Sequence, residues 1–146
     1  MQEVKAKKVF PAKVALIPEI SEYVSDCAEK AELHPKQVIH LQVAIDEVVA
    51  NICHYAYQNP PGEVLVQIES GKGRFAVDFI DEGVPFDPLT VDEPDIDADI
   101  PDREVGGLGI FLVRRVIDEV HYKRDGIKNI LTLVLYAPKT AILPNR

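Results

Sequence analysis

The sequence predicts an α/β (α+β) two-layer sandwich, with a mixed, mostly antiparallel sheet covered on one face by about three helices. Three observations predict it. Apolar residues alternate with period two in neighbouring segments separated by glycine-bearing turns, the pattern of hairpins. Other segments repeat their apolar residues every three to four positions, the pattern of amphipathic helices. The two kinds follow in the order strand, helix, helix, strand, strand, helix, strand, strand, which lacks the regular alternation of a doubly wound parallel sheet.

Each element has its own signal. A first strand region falls within residues 4–16, shortened by Pro11, which cannot donate to a ladder. Pro18 suits a helix start, with Glu19 and Glu22 in the first turn, and Ile20, Val24, Cys27, Ala28 and Ala31 recur at helical spacing. A second helix opens near Pro35 and carries Val38, Leu41, Ile45, Val48, Val49, Ile52 and Ala56 on one stripe. The cluster Asn59-Pro60-Pro61-Gly62 ends it. Val64, Val66 and Ile68 then alternate with Leu65, Gln67 and Glu69. After Gly71-Lys72-Gly73, Phe75, Val77 and Phe79 alternate with Ala76, Asp78 and Ile80. A third helix is expected from about Gly109, burying Leu112 and Val116. Glu119 to Arg124 and Asn129 to Tyr136 flank an Asp125-Gly126 turn as a last hairpin.

With 146 residues the chain is expected to form a single domain, 1–146. A net charge of -8 with no basic block argues against direct nucleic-acid binding. Much of the acid lies between Asp87 and Glu104, opposed there only by Arg103. That segment has neither period, and a connection so long inside a compact domain is expected to act as a lid, about residues 87–105. Cys27 and Cys53 lack metal-ligand spacing and read as buried free thiols. No secretory leader and no apolar run approaching a membrane span of roughly 20 residues is evident, so a cytoplasmic chain without membrane partners is expected.

Three short motifs carry the chemistry. Glu47 and Asn51 in Glu47-Val48-Val49-Ala50-Asn51 are one helical turn apart and share a face with His40 and His54, roughly opposite the apolar stripe. That is either a solvated outer face or a site. In a site, the Asn51 amide suits Mg²⁺, a hard ion that takes oxygen ligands, and the Glu47 carboxylate suits proton abstraction from an attacking hydroxyl. Asp81, in Asp81-Glu82-Gly83-Val84-Pro85-Phe86-Asp87-Pro88, ends an apolar strand. Its carboxylate can accept from the exocyclic amine of adenine and would repel the carbonyl of guanine, while Gly83 admits close approach of a base. The competing reading is a polar turn, made stiff here by Pro85, Phe86 and Pro88. The cluster Gly106-Gly107-Leu108-Gly109 opens a helix, where free amides form an anion nest or the glycines merely a hinge. Neither a P-loop nor a dinucleotide fingerprint is present.

In this order the motifs resemble the N, G1 and G2 boxes of the GHKL (Bergerat-fold) ATPases. Within these, Asp81–Pro88 and Gly106-Gly107-Leu108-Gly109-Ile110-Phe111-Leu112-Val113 are similar to the anti-sigma-factor serine kinases, as are Asp118-Glu119-Val120 and Asn129-Ile130-Leu131-Thr132-Leu133. The likeness spans roughly residues 18–136. It implies ATP and Mg²⁺ as cofactors, Glu47 as catalytic base and Asn51 as metal ligand. Asn51, Asp81, Gly83, Pro85, Phe86, Gly106, Gly107, Leu108, Gly109 and Thr132 would bind the nucleotide. It also implies phosphorylation of a STAS-domain antagonist, binding of a sigma factor or other regulatory protein, and a homodimer. One departure stands out: Tyr55 occupies the place where many relatives carry histidine, so His54, one position early, does not inherit that role. The acids of the lid are expected to point away from a triphosphate.

A non-catalytic module whose nucleotide state gates a protein interface would carry the same motifs. So would the catalytic module of a histidine kinase, or a gyrase- or MutL-like ATPase, but these need a phosphoacceptor helix or a transducer domain that the 146 residues do not obviously hold. A plain α/β binding domain is the remaining alternative.

Overall fold

A computed structural model describes residues 1–57, 62–90 and 107–138. Its elements follow the expected order: β1 (Val4–Pro11), α1 (Ile17–Lys30), α2 (Pro35–Asn51), β2 (Glu63–Gly71), β3 (Arg74–Asp81), α3 (Gly107–Val116), β4 (Glu119–Asp125) and β5 (Lys128–Tyr136). The strands form one sheet in the order β1-β2-β3-β5-β4. Every neighbouring pair described is antiparallel. The first strand stops at Pro11, and Val14–Leu16 form a short 3-10 turn leading into α1.

Local chemistry explains the helix ends. Pro18 lies in the first turn of α1, with Glu19 there and Lys30 in the last turn, each complementing the helix dipole. The start of α2 is capped by histidine: His34 Nδ1 accepts from Lys36 N at 3.1 Å, and Gln37 Oε1 accepts from His34 N at 3.0 Å. Beyond Asn51 the helix widens into a π-type turn over Ile52–Ala56, closed by Tyr57 N donating to Ile52 O at 3.2 Å. Such turns redirect the side chains that follow them.

Strand parity puts Val64, Val66 and Ile68 of β2, Phe75, Val77 and Phe79 of β3, and Leu131, Leu133 and Leu135 of β5 on the inner face, all buried. They pack beneath Ile20 and Val24 of α1 and Leu41, Ile45, Val48 and Val49 of α2. The expectation for α3 needs correction. The helix begins at Gly107 and buries Ile110 and Val113, with Ile117 just beyond it, whereas Leu112 is 45% exposed and Val116 only half-buried. Its apolar stripe runs at i, i+3 and i+7 from Ile110, so Leu112 falls on the solvent side.

The other face of the sheet has no helix layer among the described residues. Val9, Leu65, Ile80 and Ile130 are register partners there, forming an apolar row across four strands. The next row includes Asp78 opposite Thr132. No described helix is long and apolar enough to cross a membrane. Of the expected lid, Pro88–Thr90 form a 3-10 turn held by Leu89 N donating to Asp87 Oδ1 at 2.8 Å and by Arg114 Nη2 donating to Leu89 O at 2.6 Å. Residues 91–106 lie outside the described residues, and with them Gly106 and the expected orientation of the acids.

Phe79 sits fully buried on β3, between the helix layer and the neighbouring strands. Phe79→Ala is expected to cost about 3–5 kcal/mol through lost burial and a residual cavity, measured by urea unfolding.

Candidate functional site

Asp81 is the last residue of β3 and continues the inward parity of Phe75, Val77 and Phe79, so its carboxyl points under the helices. It is 3% exposed. Antiparallel register puts Asn129 of β5 directly opposite it, also facing inward and also buried. Asp81 Oδ1 accepts from Asn129 Nδ2 at 2.8 Å and from Gly83 N at 2.9 Å. Burial pushes the Asp81 carboxyl above the ordinary aspartate range, opposed by these two hydrogen bonds and by the Arg124 charge.

Thr132 is not at this site. It has the opposite parity, facing the side of the sheet away from the helices, where its hydroxyl donates to Asp78 Oδ1 at 2.6 Å. The residue of β5 that meets Asp81 is Asn129. Its position was readable in principle, since Leu131, Leu133 and Leu135 mark the core parity of that strand and Asn129 shares it. What the sequence did not supply was the pairing of β5 with β3.

Glu47 and Asn51 do not lie on a solvated face. Asn51 is 6% exposed and Glu47 half-buried, because α3 packs along that flank of α2. The approach is close: a Cβ on Gly109 would stand 1.9 Å from Glu47 Oε1 and 2.2 Å from its Cδ. The carboxylate therefore lies against the first turn of α3, at the positive end of its dipole. Asn51 hydrogen-bonds the Glu47 carboxyl, while burial raises its pKa above the ordinary glutamate range. Glu47 Oε2 is buried and has no hydrogen-bond partner among the described residues. Leaving such an atom unpaired costs about 1–3 kcal/mol, and more for a charged group.

A cavity of about 20 Å³ lies between the two halves of the site. Asn51 and Asp81 line it together with Val48, Ile52, Ala56, Phe86, Pro88, Tyr122, Asn129 and Leu131. That is room for one water molecule. A larger open groove, about 620 Å³, lies at the other end of the sheet around Ser70, Lys72 and Arg74, away from these residues. Of the remaining expected positions, Phe86 lines the cavity, whereas Pro85 is exposed and does not. Gly107 and Leu108 form the beginning of α3. Gly83 packs tightly: a Cβ there would stand 2.2 Å from Ala56 O, the same carbonyl that accepts from Val84 N at 2.9 Å. The glycine thus fits the G1 loop against the end of the π-type turn.

Tyr55 stacks on Phe86 with ring centroids 5.0 Å apart and planes 21° apart. His54 is exposed and His40 half-buried. Cys27 is buried as expected, but Cys53 is only partly so. No cluster of three or more His, Cys, Asp or Glu side chains suited to a metal occurs among the described residues. The donor set fits an ion that takes few protein ligands: the amide oxygen of Asn51 beside a half-paired carboxylate.

Two outcomes follow from this packing. Gly83→Ala should destabilise the fold by about 1–3 kcal/mol in thermal unfolding, since backbone rather than a flexible side chain blocks the added methyl. The raised Glu47 pKa means that the folded state binds this proton more tightly than the unfolded state. Its contribution is greatest below the ordinary glutamate range and is lost as pH rises through the folded pKa. Glu47→Gln should therefore stabilise the free protein at pH 7.5 and show little advantage at pH 4, measured by urea unfolding at both.

The profile of the family described as "Histidine kinase-like ATPase domain" matches residues 10–135. Curated relatives include the "Serine-protein kinase RsbW" of Bacillus thuringiensis (strain Al Hakam), 24% identical over 125 residues, covering 83% of this chain and 78% of the relative. The protein of the same name from Listeria monocytogenes is 26% identical over 115 residues, covering 75% and 73%. Among solved structures, the RsbU and RsbW domains of Rv1364c from Mycobacterium tuberculosis match with a TM-score of 0.65 at 12% identity, over 91% of this chain. The chain spans 32% of that larger structure, and the likeness shows a shared fold. Matched from the end of β1 to the end of β5, the chain belongs to the histidine kinase-like ATPase domain family, of the GHKL type.

Proposed function

We propose that this single-domain, cytoplasmic chain is an ATP- and Mg²⁺-dependent serine/threonine protein kinase of the anti-sigma-factor type. Its substrate would be a serine or threonine on a STAS-domain antagonist, and its alternate partner a sigma factor or another regulatory protein. The observation that carries the reading is the half-buried, half-paired Glu47 carboxylate, hydrogen-bonded to Asn51 and tucked against the glycine-opened first turn of α3. A carboxylate kept so at a cost to the free fold suits a group whose missing partner arrives with substrate. Family membership and relatives named serine-protein kinases support the same reading.

The residues divide the work. Asp81 accepts a hydrogen bond from the exocyclic amine of adenine and disfavours guanine. Gly107, Leu108 and Gly109 offer backbone amides to phosphate oxygens at the α3 N-terminus. Asn51 would hold Mg²⁺, which supplies neutralisation of phosphate charge when bound. Glu47 takes the proton of the acceptor hydroxyl as the new O–P bond forms, and its raised pKa moves it towards the range of a working base. The phosphoryl group passes to the acceptor oxygen and ADP leaves. With only about 20 Å³ beside Asp81, base entry requires the Phe86 and Pro88 wall to move.

We further propose a homodimer through the sheet face opposite the helices, supported by the apolar row Val9, Leu65, Ile80 and Ile130. Ile80→Glu is expected to convert a dimer to a monomer in sedimentation equilibrium; unchanged mass would exclude this face.

The kinase reading is tested with labelled ATP, Mg²⁺ and a panel of STAS-domain proteins. Label transfer should fall by about 10²–10⁴-fold in Glu47→Ala. ATP binding by calorimetry should depend on Mg²⁺, reject GTP and weaken in Asp81→Asn. Nucleotide-dependent partner affinity without transfer would instead favour a non-catalytic gate, and no ATP binding at millimolar concentration would exclude both.

A further inference from the structure

Asn129 stands at the centre of a buried polar cluster and lies outside the three short motifs. It is 4% exposed, yet both ends of its amide are filled. Nδ2 donates to Asp81 Oδ1 at 2.8 Å and to Val84 O at 2.9 Å. Oδ1 accepts from the Tyr122 hydroxyl at 2.5 Å, from Arg124 Nη1 at 3.2 Å and from Phe86 N at 3.4 Å. Arg124 Nη1 also donates to Gly83 O at 2.8 Å. Donors converge on one end of the amide and acceptors on the other, so turning it over would set like against like at every contact.

We infer that Asn129, held by Tyr122 and Arg124 of β4, is the positioning residue that orients Asp81 towards the base and fixes the wall of the base pocket. This rests on the nucleotide reading above and adds a residue to it. Two donors on Oδ1, from Asn129 and Gly83, fix the rotation of the Asp81 carboxyl and so give Oδ2 one direction. The same amide holds Val84 and Phe86, and Arg124 holds Gly83, so one side chain sets both the acceptor and the loop beside it. The strands dictate the geometry: Asp81 and Asn129 are register partners, and Tyr122 and Arg124 share the inward parity of β4. A carboxylate in place of Asn129 would repel Asp81, and a leucine would leave its Oδ1 short of a donor. The titratable groups around the pair are Arg124, whose charge acts on Asp81, and the Tyr57 and Tyr122 hydroxyls, with Glu82 acting on Tyr57 and Asp87 on Tyr122.

The test measures ATP affinity by calorimetry in the full chain at pH 5.5 and pH 8, each variant as a ratio to wild type, with circular dichroism as the check on folding. Asn129→Leu should weaken binding by about 10–100-fold at both pH values, the loss of a hydrogen bond to a charged group. Asn129→Asp should be as weak at pH 8. At pH 5.5 it should recover at least about 5-fold, because the protonated carboxyl can donate to Asp81 Oδ1 as the amide does. Tyr122→Phe, a smaller change, should fold normally and lose about 2–10-fold. Recovery on protonation is the readout that a merely structural role would not give. Wild-type affinity in the Asn129 variants, or an Asn129→Asp ratio that ignores pH, would overturn the inference while leaving nucleotide binding intact. Absence of ATP binding in wild type would overturn the nucleotide reading itself, and this inference with it.

Discussion

The antiparallel register between β3 and β5 is the constraint on which the rest of the site depends. It pairs Phe75 with Leu135, Val77 with Leu133 and Phe79 with Leu131, all facing inward, and ends with Asp81 opposite Asn129. A slip of one residue would turn one apolar set to solvent, so burial of the three apolar pairs fixes the place of the polar pair as well. Each buried large apolar side chain contributes roughly 1.5–3 kcal/mol, far more than a single hydrogen bond at the strand end. The core therefore positions the Asp81–Asn129 pair.

The second half of the site depends on how closely α3 approaches α2. The absence of a side chain at Gly109 lets the first turn of α3 rest on the Glu47 carboxyl, and that contact removes Glu47 from water. Burial without a second partner for Oε2 works against the free fold. The same burial raises the proton affinity of the carboxyl, which a base for a serine hydroxyl can use. Under the proposed kinase function, stability and chemistry pull in opposite directions at this one residue.

Where the sequence reading and the structure part, the cause is tertiary in each case. Helical spacing set Glu47 and Asn51 apart from the apolar stripe of α2, but it could not reveal that another helix covers that flank. Leu112 was expected inside because it belongs to an apolar run. The starting point of α3 and its docking angle instead turn Ile110 and Val113 inward. Thr132 has a residue type suited to a pocket and the wrong parity for this one, since it faces Asp78 across the far side of the sheet. Pro85 lies exposed while Pro88, three residues on, lines the cavity.

The sequence by itself determined the order of elements, the two hairpins, the core faces of β2, β3 and β5, and the three motifs that point to a GHKL nucleotide site. These depend on period, turn chemistry and residue type, all properties of contiguous segments. Only the tertiary structure decided which strand lies beside β3, which flank of α2 is covered, and hence that Asn129 rather than Thr132 meets Asp81 and that Glu47 is half-buried. Those are contacts between residues up to 62 positions apart, as between Glu47 and Gly109. Local pattern can say which face of an element is apolar, but partner choice is set by the packing of all the faces at once.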